Sequence, residues 1–479
     1  MSRKLSQLRI ALAGLFGATV RLRADQQGTV AVLMALLLPV LIGGLGLGVE
    51  ISNWYLKTRA MQNAADAAAI AAASNNGSDY ALEAKAVAAQ YGFVDGKNNV
   101  TVAVSNSAAC PVGANLTPPC YSVTISSIVP IYLSQVVGYQ GDVTLNGSRA
   151  KALTSAAKAD ITEIKQPICL LALSSSGQAL RTNGAPNSNF TGCSVMSNAD
   201  AICNGSNLNA YYGLAAGTNT DCGNRMQSSV PAVNDPYLVM ANNIPKDTCT
   251  SYPQESGNGN KSTIPASNQW TNNLSVTLAN TLTGAVSGNP YTGVVFCGDV
   301  QLTDDVTIHT PNDTDGAVIV IENGQLDLNG HTLRTANGSA VTIVFSGTNG
   351  NYTHYPTDNS SGKGGVLNIQ APSAPSAPFP GMAIYQDPRL TTGVDVTYTG
   401  NNPQWSISGG VYLPNANVTV SGDVSESSNG ADCFVMVAST VLINGTSNIY
   451  QQSPSGAGCK LAGLAMPTTT ILGRGQLVY

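Results

Sequence analysis

Between Gly28 and Val49 the chain reads GTVAVLMALLLPVLIGGLGLGV, twenty-two residues without a charged side chain. At ~1.5 Å of rise per residue, a helix of that length covers a hydrocarbon core of about 30 Å, so the stretch predicts one transmembrane helix over 28–49. Arg3, Lys4, Arg9, Arg21 and Arg23 precede it against a single acid, Asp25, whereas the far side opens on Glu50 and reaches Lys57 and Arg59 only later. The positive-inside rule therefore assigns residues 1–27 to the cytoplasm as a basic arm and carries everything after Val49 across the membrane. A cleaved signal peptide fits less well, because the run is longer than an h-region and no small-x-small site follows before an alanine-rich stretch. Leu8 to Val20 form a shorter apolar stretch, an earlier h-region or a helix on the inner leaflet, and Arg21 and Arg23 behind it disfavour export there.

The helical pattern continues past the membrane. Ile51, Trp54, Thr58, Met61, Ala65, Ala68 and Ala72 recur at steps of three and four, which places them on one face, with Thr58 as the polar exception. Carried to Ser74, the helix is ~70 Å long and projects roughly 40 Å beyond the core of the bilayer. Trp54 and Tyr55 fall where an interfacial aromatic belt sits. Gly43, Gly44, Gly46 and Gly48 give the outer half of the span a small-residue surface, with Gly44 and Gly48 at the GxxxG spacing that lets helices approach backbone to backbone. Gly44, Gly48, Trp54, Met61 and Ala65 are thus the expected helix-packing residues. A stalk packed on its own domain and a helix packed on another molecule both satisfy the pattern. Pro39 is a candidate kink.

Charged residues make up 10% of the chain where roughly a quarter is usual. That argues against a coiled coil, a nucleic-acid binder and a disordered polyelectrolyte, each of which needs dense charge. All ten cysteines lie at or beyond Cys110, on the exported side, where an even number suits disulfides. No CxxC element supports zinc or redox chemistry. Spacing does not determine connectivity; the expected pairs are Cys110 with Cys120, Cys169 with Cys193, Cys203 with Cys222, Cys249 with Cys297, and Cys433 with Cys459.

The segment QQGTVAVLMALLLPVLIGGLGLGVEISNWYLKTRAMQNAADAAAIAAA resembles the N-terminal region of TadG-like proteins of the tight-adherence (Flp-type) pilus assembly system. The order of elements carries the likeness: a span opening on Gly28, an acid at its exit, Trp-Tyr, a basic pair, then Gln-Asn-Ala-Ala-Asp-Ala-Ala-Ala. Looser likeness runs through Cys169-Leu-Leu-Ala-Leu, Gly192-Cys193, Val341-Thr-Ile-Val-Phe and Gly410-Val-Tyr-Leu-Pro. Pilins cut by a prepilin peptidase follow the processed Gly with Glu five residues on, where this chain has Leu33 after Gly28, which argues against processing there, and major Flp pilins are very short. The resemblance therefore implies a membrane-anchored or minor-pilin-like component of the bacterial inner membrane, without catalysis of its own. Its partners would be other pilus subunits, engaged through the N-terminal helix, and its large domain would lie in the periplasm or at a pilus tip.

Beyond the long helix, Asp79 to Tyr91 predicts a second helix ended by Gly92, followed by strands at Val100–Val104 and Tyr121–Ile125, a short helix around Ile131–Tyr139 and an alternating stretch at Asp142–Ala150. With the extended helix this makes a small pilin-like α/β domain over 50–152, joined by a linker at 153–167 to an exported domain over 168–479. There, short runs such as AVIVIENGQLDLNGHTLRT, SAVTIVFSG and CFVMVASTVLING alternate with Asn-Gly, Ser-Gly and Pro-rich turns. The expected class is α+β and β-rich, the exported domain being a β-solenoid like a right-handed parallel β-helix in preference to a sandwich.

Chemistry is sparsely represented. His309, His331 and His354 are too scattered for a metal cluster, and no phosphate-binding loop or G-x-S-x-G elbow occurs. Asn312 to Gly316 (NDTDG) puts Pro311 where a calcium loop needs its first oxygen ligand. No cofactor or metal is expected. The rival reading is a surface β-helix protein that binds or cleaves polysaccharide, using Asp304, Asp305, Asp313, Asp315, Asp327, His331 and Arg334, since paired carboxylates can act as acid and base on a glycosidic bond.

Overall fold

A computed structural model of the 479-residue chain describes residues 27–478 apart from 76, 111–119, 187, 256–263, 361–363, 400–403, 422–424, 428–432, 447, 450–458 and 460–462. The basic arm, with the Leu8 to Val20 stretch, lies outside the described residues except at its last position. Two compact units are present, one running to Glu163 and including Leu472–Tyr479, the other Ile164–Ile471.

The first unit is built on α1 (Gln27–Asn75), a single helix that passes through Pro39. Its N-terminal half leaves large apolar side chains bare, among them Val32, Leu36, Val40 and Leu45. Among the described residues this is the one helix long and apolar enough to cross a membrane. Its C-terminal half is alanine-rich, and small side chains let it lie close to what it covers. Met61, Ala65, Ala68 and Ala72 are fully buried together with Ala84 and Ala88 of α2 (Tyr80–Gln90). Gly92, at φ +90°, ends α2 in a left-handed conformation that costs glycine nothing. The other side of this core is an antiparallel sheet of β1 (Val100–Ala108), β2 (Cys120–Pro130) and the first part of β4 (Ser148–Ala172), with β3 (Val143–Leu145) and the start of β4 forming a hairpin around Asn146-Gly147. Val123 and Ile125 point inward by period-two alternation, opposite Ala157 and Ser155. Residues 153–167 are extended strand within β4, and the division between units falls after Glu163.

The second unit is β-rich and dominated by parallel pairing. One ladder joins Pro290–Cys297, Ala317–Glu322, Val341–Ser346, Met382–Gln386, Gln404–Ser421, Phe434–Gly445, the end of β4, Ser194–Ser197 and Gly213–Ala215, each parallel to the next. A row of side chains in register follows it: Val295, Val320, Val344, Tyr385, Tyr412, Val437, Leu171, Met196 and Leu214. The next row, Ile319, Ile343, Ile384, Val411, Met436, Leu170 and Val195, points to the opposite face. Both faces are covered, which explains why strands such as AVIVIE and VTIVFS are apolar throughout and do not alternate. Full burial of each Val or Leu contributes about 1.5–3 kcal/mol.

The order along this ladder is not the order in sequence. Leu170–Ala172, at the start of the unit, pair with Met436–Ala438 near its end. A second parallel ladder runs through Gln269–Ser275, Val300–His309, Thr332–Thr335, Val366–Gln370 and Gln404–Ser408, with Val306, Leu333, Leu367 and Trp405 in register and buried. Turns between rungs use residues that tolerate positive φ, as at Asn329 (48°) and Gly330 (79°).

Five disulfides join Cys110 to Cys120, Cys169 to Cys193, Cys203 to Cys222, Cys249 to Cys297 and Cys433 to Cys459, leaving no free cysteine. Protein denatured without reductant is expected to show essentially no reactive thiol, and reductant is expected to release ten. Titration with a thiol reagent before and after reduction checks this; several thiols before reduction contradict it.

Candidate functional site

The polar and aromatic groups that gather around the end of the bare apolar helix belong to the first unit. After β2 the chain makes a turn, Ile131 to Tyr139, containing a 3-10 helix at Ser134–Val137 and closed by Gly138 at φ +90°. This turn lies against α1 at Gly43 and Gly46. A Cβ added to Gly46 would stand 2.9 Å from the Leu133 Cβ, and one added to Gly43 would stand 3.2 Å from Val137 Cγ1. Glycine is required at Gly46 because the approach leaves no room for a side chain.

One turn further along the helix, Glu50 closes the contact. Its Oε1 accepts the backbone N–H groups of Tyr132 (2.6 Å) and Leu133 (2.8 Å), and its Oε2 accepts that of Ser134 (2.8 Å). Three successive N–H groups converging at the start of a 3-10 helix form a natural anion seat, here filled by the protein's own carboxylate. Glu50 is only 9% exposed, so the hydrogen bonds replace the water it has lost.

An aromatic and ionic group follows. The Trp54 and Tyr139 rings lie 5.8 Å apart, with the Lys151 ammonium 5.6 Å from each ring centroid. Lys151 Nζ pairs with Asp142 Oδ2 at 2.7 Å and donates to the Tyr139 hydroxyl, which in turn donates to Asp142 Oδ1 at 2.5 Å. The hydrogen bond from Lys151 holds the Asp142 carboxyl below its usual range, and the same bond raises the Lys151 ammonium.

Of the expected helix-packing residues, Gly44 and Gly48 face open space, with nothing within 4 Å of an added Cβ. Trp54 is half-buried against Tyr139 and Lys151, while Met61 and Ala65 are wholly inside the unit's core. The glycines therefore divide by face, Gly43 and Gly46 covered by the turn and Gly44 and Gly48 bare.

The candidate acid–base residues of the second unit do not come together as one group. Asp304 and Asp305 are exposed on Val300–His309; Asp305 Oδ1 accepts the Thr332 N–H at 2.8 Å and lies 3.8 Å from His331 Nδ1. Arg334 donates to Thr307 Oγ1. Asp327 is fully buried, and its Oδ1 accepts the N–H groups of Asn329 and Asn359, a turn-anchoring role. In the NDTDG loop, Asn312 Oδ1 accepts the N–H groups of Thr314, Asp315 and Gly316, and Asp315 accepts from Ser376, while Asp313 is exposed. His309 bonds Asn273, and His354 is buried beside Asn323. Among the described residues, one set of potential metal ligands gathers, Cys110, Cys120 and Asp160, and its sulfurs are already joined to each other.

Among the acids that escaped the sequence reading are half-buried Glu255 and buried Asp299 and Glu322. Glu255 bonds Gln301 and is pushed up to about 7 by burial and by Asp327. Burial also raises Asp299, which accepts the N–H groups of Glu255 and Gln325. Glu322 is 1% exposed, and neither of its carboxyl oxygens has a hydrogen-bond partner among the described residues. Loss of solvent, then Asp247 and Asp387 nearby, push it up to about 8. The available signal for Glu322 was a lone acid closing an otherwise wholly apolar strand; nothing in local spacing marks Glu255.

The long apolar helix, bare along its N-terminal half and gripped at its far end by a small α+β unit, defines a class of chain with one N-terminal helix able to span a membrane and a large β-rich remainder. Within it, residues 28–75 match the family model described as putative Flp pilus-assembly TadE/G-like. No curated protein and no solved structure matches the chain.

Proposed function

We propose that this protein is a membrane-anchored component, or minor-pilin-like subunit, of a tight-adherence pilus assembly system, and that its role is structural and not catalytic. Residues 28–49 cross the inner membrane with the N-terminus in the cytoplasm, and the remainder is periplasmic or carried to a pilus tip. The observation that carries this reading is the match over residues 28–75, which covers the whole of the bare apolar stretch and the helix beyond it. The second unit, whose parallel ladders stack rung on rung, one of them with both faces buried, is a β-helix-like solenoid in this reading, a rigid body suited to projecting from the membrane.

Partner subunits are engaged through the Gly44 and Gly48 face, which is bare and at the spacing for close helix packing. Changing both to Leu is expected to reduce co-purification of partner subunits severalfold while insertion is unaffected. Gly46→Leu serves as contrast, since its side chain would run into Leu133 and disturb this protein's own turn first. Undiminished recovery of partners with the Gly44→Leu, Gly48→Leu protein would refute the assignment of that face.

A further inference from the structure

We propose that the turn Ile131 to Tyr139 is immersed in the lipid leaflet through which α1 leaves the membrane, so that the protein is held by two elements and not by the helix alone. The inference rests on the membrane-anchor reading above. Its position along α1 is the first argument. The turn touches α1 at Gly43 and Gly46, inside the uncharged stretch and not beyond it, ~9 Å and ~4.5 Å short of Val49 at helical rise. Whatever solvent surrounds α1 at that level also surrounds the turn.

Its composition agrees. The sequence IYLSQVVGY carries no charge; Ile131 is buried, while Tyr132 is 71% exposed, Val136 72% and Val137 50%. On the helix, Leu45 and Val49 are likewise bare. In water such a patch on a nine-residue turn is costly; against acyl chains it is favourable.

Non-helical backbone in hydrocarbon is tolerated only where its polar groups are satisfied within the protein. Here they are. The N–H groups of Tyr132, Leu133 and Ser134 go to Glu50, while those of Ile131, Val136, Gly138 and Tyr139 go to Arg149, Leu133, Gln135 and Ser134 carbonyls. The Gln135 side chain donates back to the Ile131 carbonyl, and Ser134 is buried. Glu50 is the one acid of the contact, and it supplies the hydrogen bonds that water would otherwise give. Trp54, Tyr139 and Lys151 follow as an aromatic and cationic rim, the residue types that mark the boundary between lipid and water.

The test places a nitroxide at Val136→Cys and, separately, at Tyr132→Cys in the full chain reconstituted in phosphatidylethanolamine and phosphatidylglycerol vesicles. Both positions are exposed, and the native cysteines are all paired, so labelling is specific and the fold is little disturbed. Collision with oxygen, which concentrates in lipid, is compared with collision with a water-soluble nickel chelate. Leu37→Cys, mid-span, and Thr144→Cys, exposed on β3, are the references. The expected oxygen-to-nickel ratio at Val136 and Tyr132 is severalfold above that at Thr144 and close to that at Leu37. A water-like ratio at both turn positions with a lipid-like ratio at Leu37 overturns the inference and leaves the anchor intact. Shielding from both reagents at the turn also overturns it, in favour of a covering protein subunit. A water-like ratio at Leu37 removes the anchor reading, and the inference with it.

Discussion

Replacing Glu50 with alanine is expected to strip hydrogen-exchange protection from the Tyr132, Leu133 and Ser134 amides while those of Val123 and Ile125 in β2 stay protected. Glu50 is the acceptor for all three turn amides, and among the described residues no other acceptor is paired with them. Hydrogen bonds to a charged group contribute about 1.5–3 kcal/mol each, and leaving buried donors unpaired adds a desolvation cost, so a local loss of about 3 kcal/mol or more is expected. Opening of the turn then rises by roughly two orders of magnitude, since about 1.4 kcal/mol corresponds to tenfold. The core of Met61, Ala65, Val123 and Ile125 lies elsewhere and keeps the unit folded. Glu50→Gln retains one acceptor oxygen and is expected to fall between wild type and alanine. Mass-spectrometric exchange on the reconstituted protein reads the result; unchanged protection in Glu50→Ala means that the turn is held by packing on Gly43 and Gly46 alone.

Glu322→Gln is expected to stabilise the second unit in mildly alkaline solution and to leave it nearly unchanged in acid. The fold retains the Glu322 proton up to about pH 8, whereas the unfolded chain releases it near the ordinary value of 4.5. Between these values the folded state binds more protons, so this group's contribution is fully present below pH 4.5, declines as pH rises, and is lost at about pH 8. Glutamine keeps the shape and neutrality of the protonated acid at every pH. The gain over wild type is expected to reach the order of 2–4 kcal/mol at pH 8. Glu255, raised to about 7, titrates in the same direction and remains in both proteins, so the difference between them isolates Glu322. Thermal unfolding of both proteins at pH 4.5 and pH 8 measures the effect; parallel pH profiles would mean that Glu322 is ionised and paired in solution.

These two acids mark where reading the sequence stops. An uncharged stretch, a three-and-four periodicity and a glycine that ends a helix are local signals, each carried by residues within a few turns of one another. The apolar helical stretch at Gly28 to Val49, the helix at Tyr80–Gln90 and the short apolar strands of the second unit are legible for that reason. Glu50 was visible as an acid at the helix exit, but its three donors stand more than eighty residues away. Glu322 was visible as the acid that closes an apolar strand, but its burial and its neighbours Asp247 and Asp387 were not. The glycines show both sides of this. Their small size was plain, whereas the division into a covered pair, Gly43 and Gly46, and a bare pair, Gly44 and Gly48, depends on where the turn from Ile131 to Tyr139 lands.

The sequence by itself determined the long apolar helix, the β-rich remainder and the likeness of residues 28–75 to TadE/G-like proteins, because hydropathy and period act over short separations. Only the tertiary structure decided that Leu170 pairs beside Met436, that Leu472–Tyr479 return to the first unit, and that Glu50 closes on the turn. Strand neighbours and partners for buried polar groups are chosen by long-range packing and desolvation, for which the linear order of residues carries no distance.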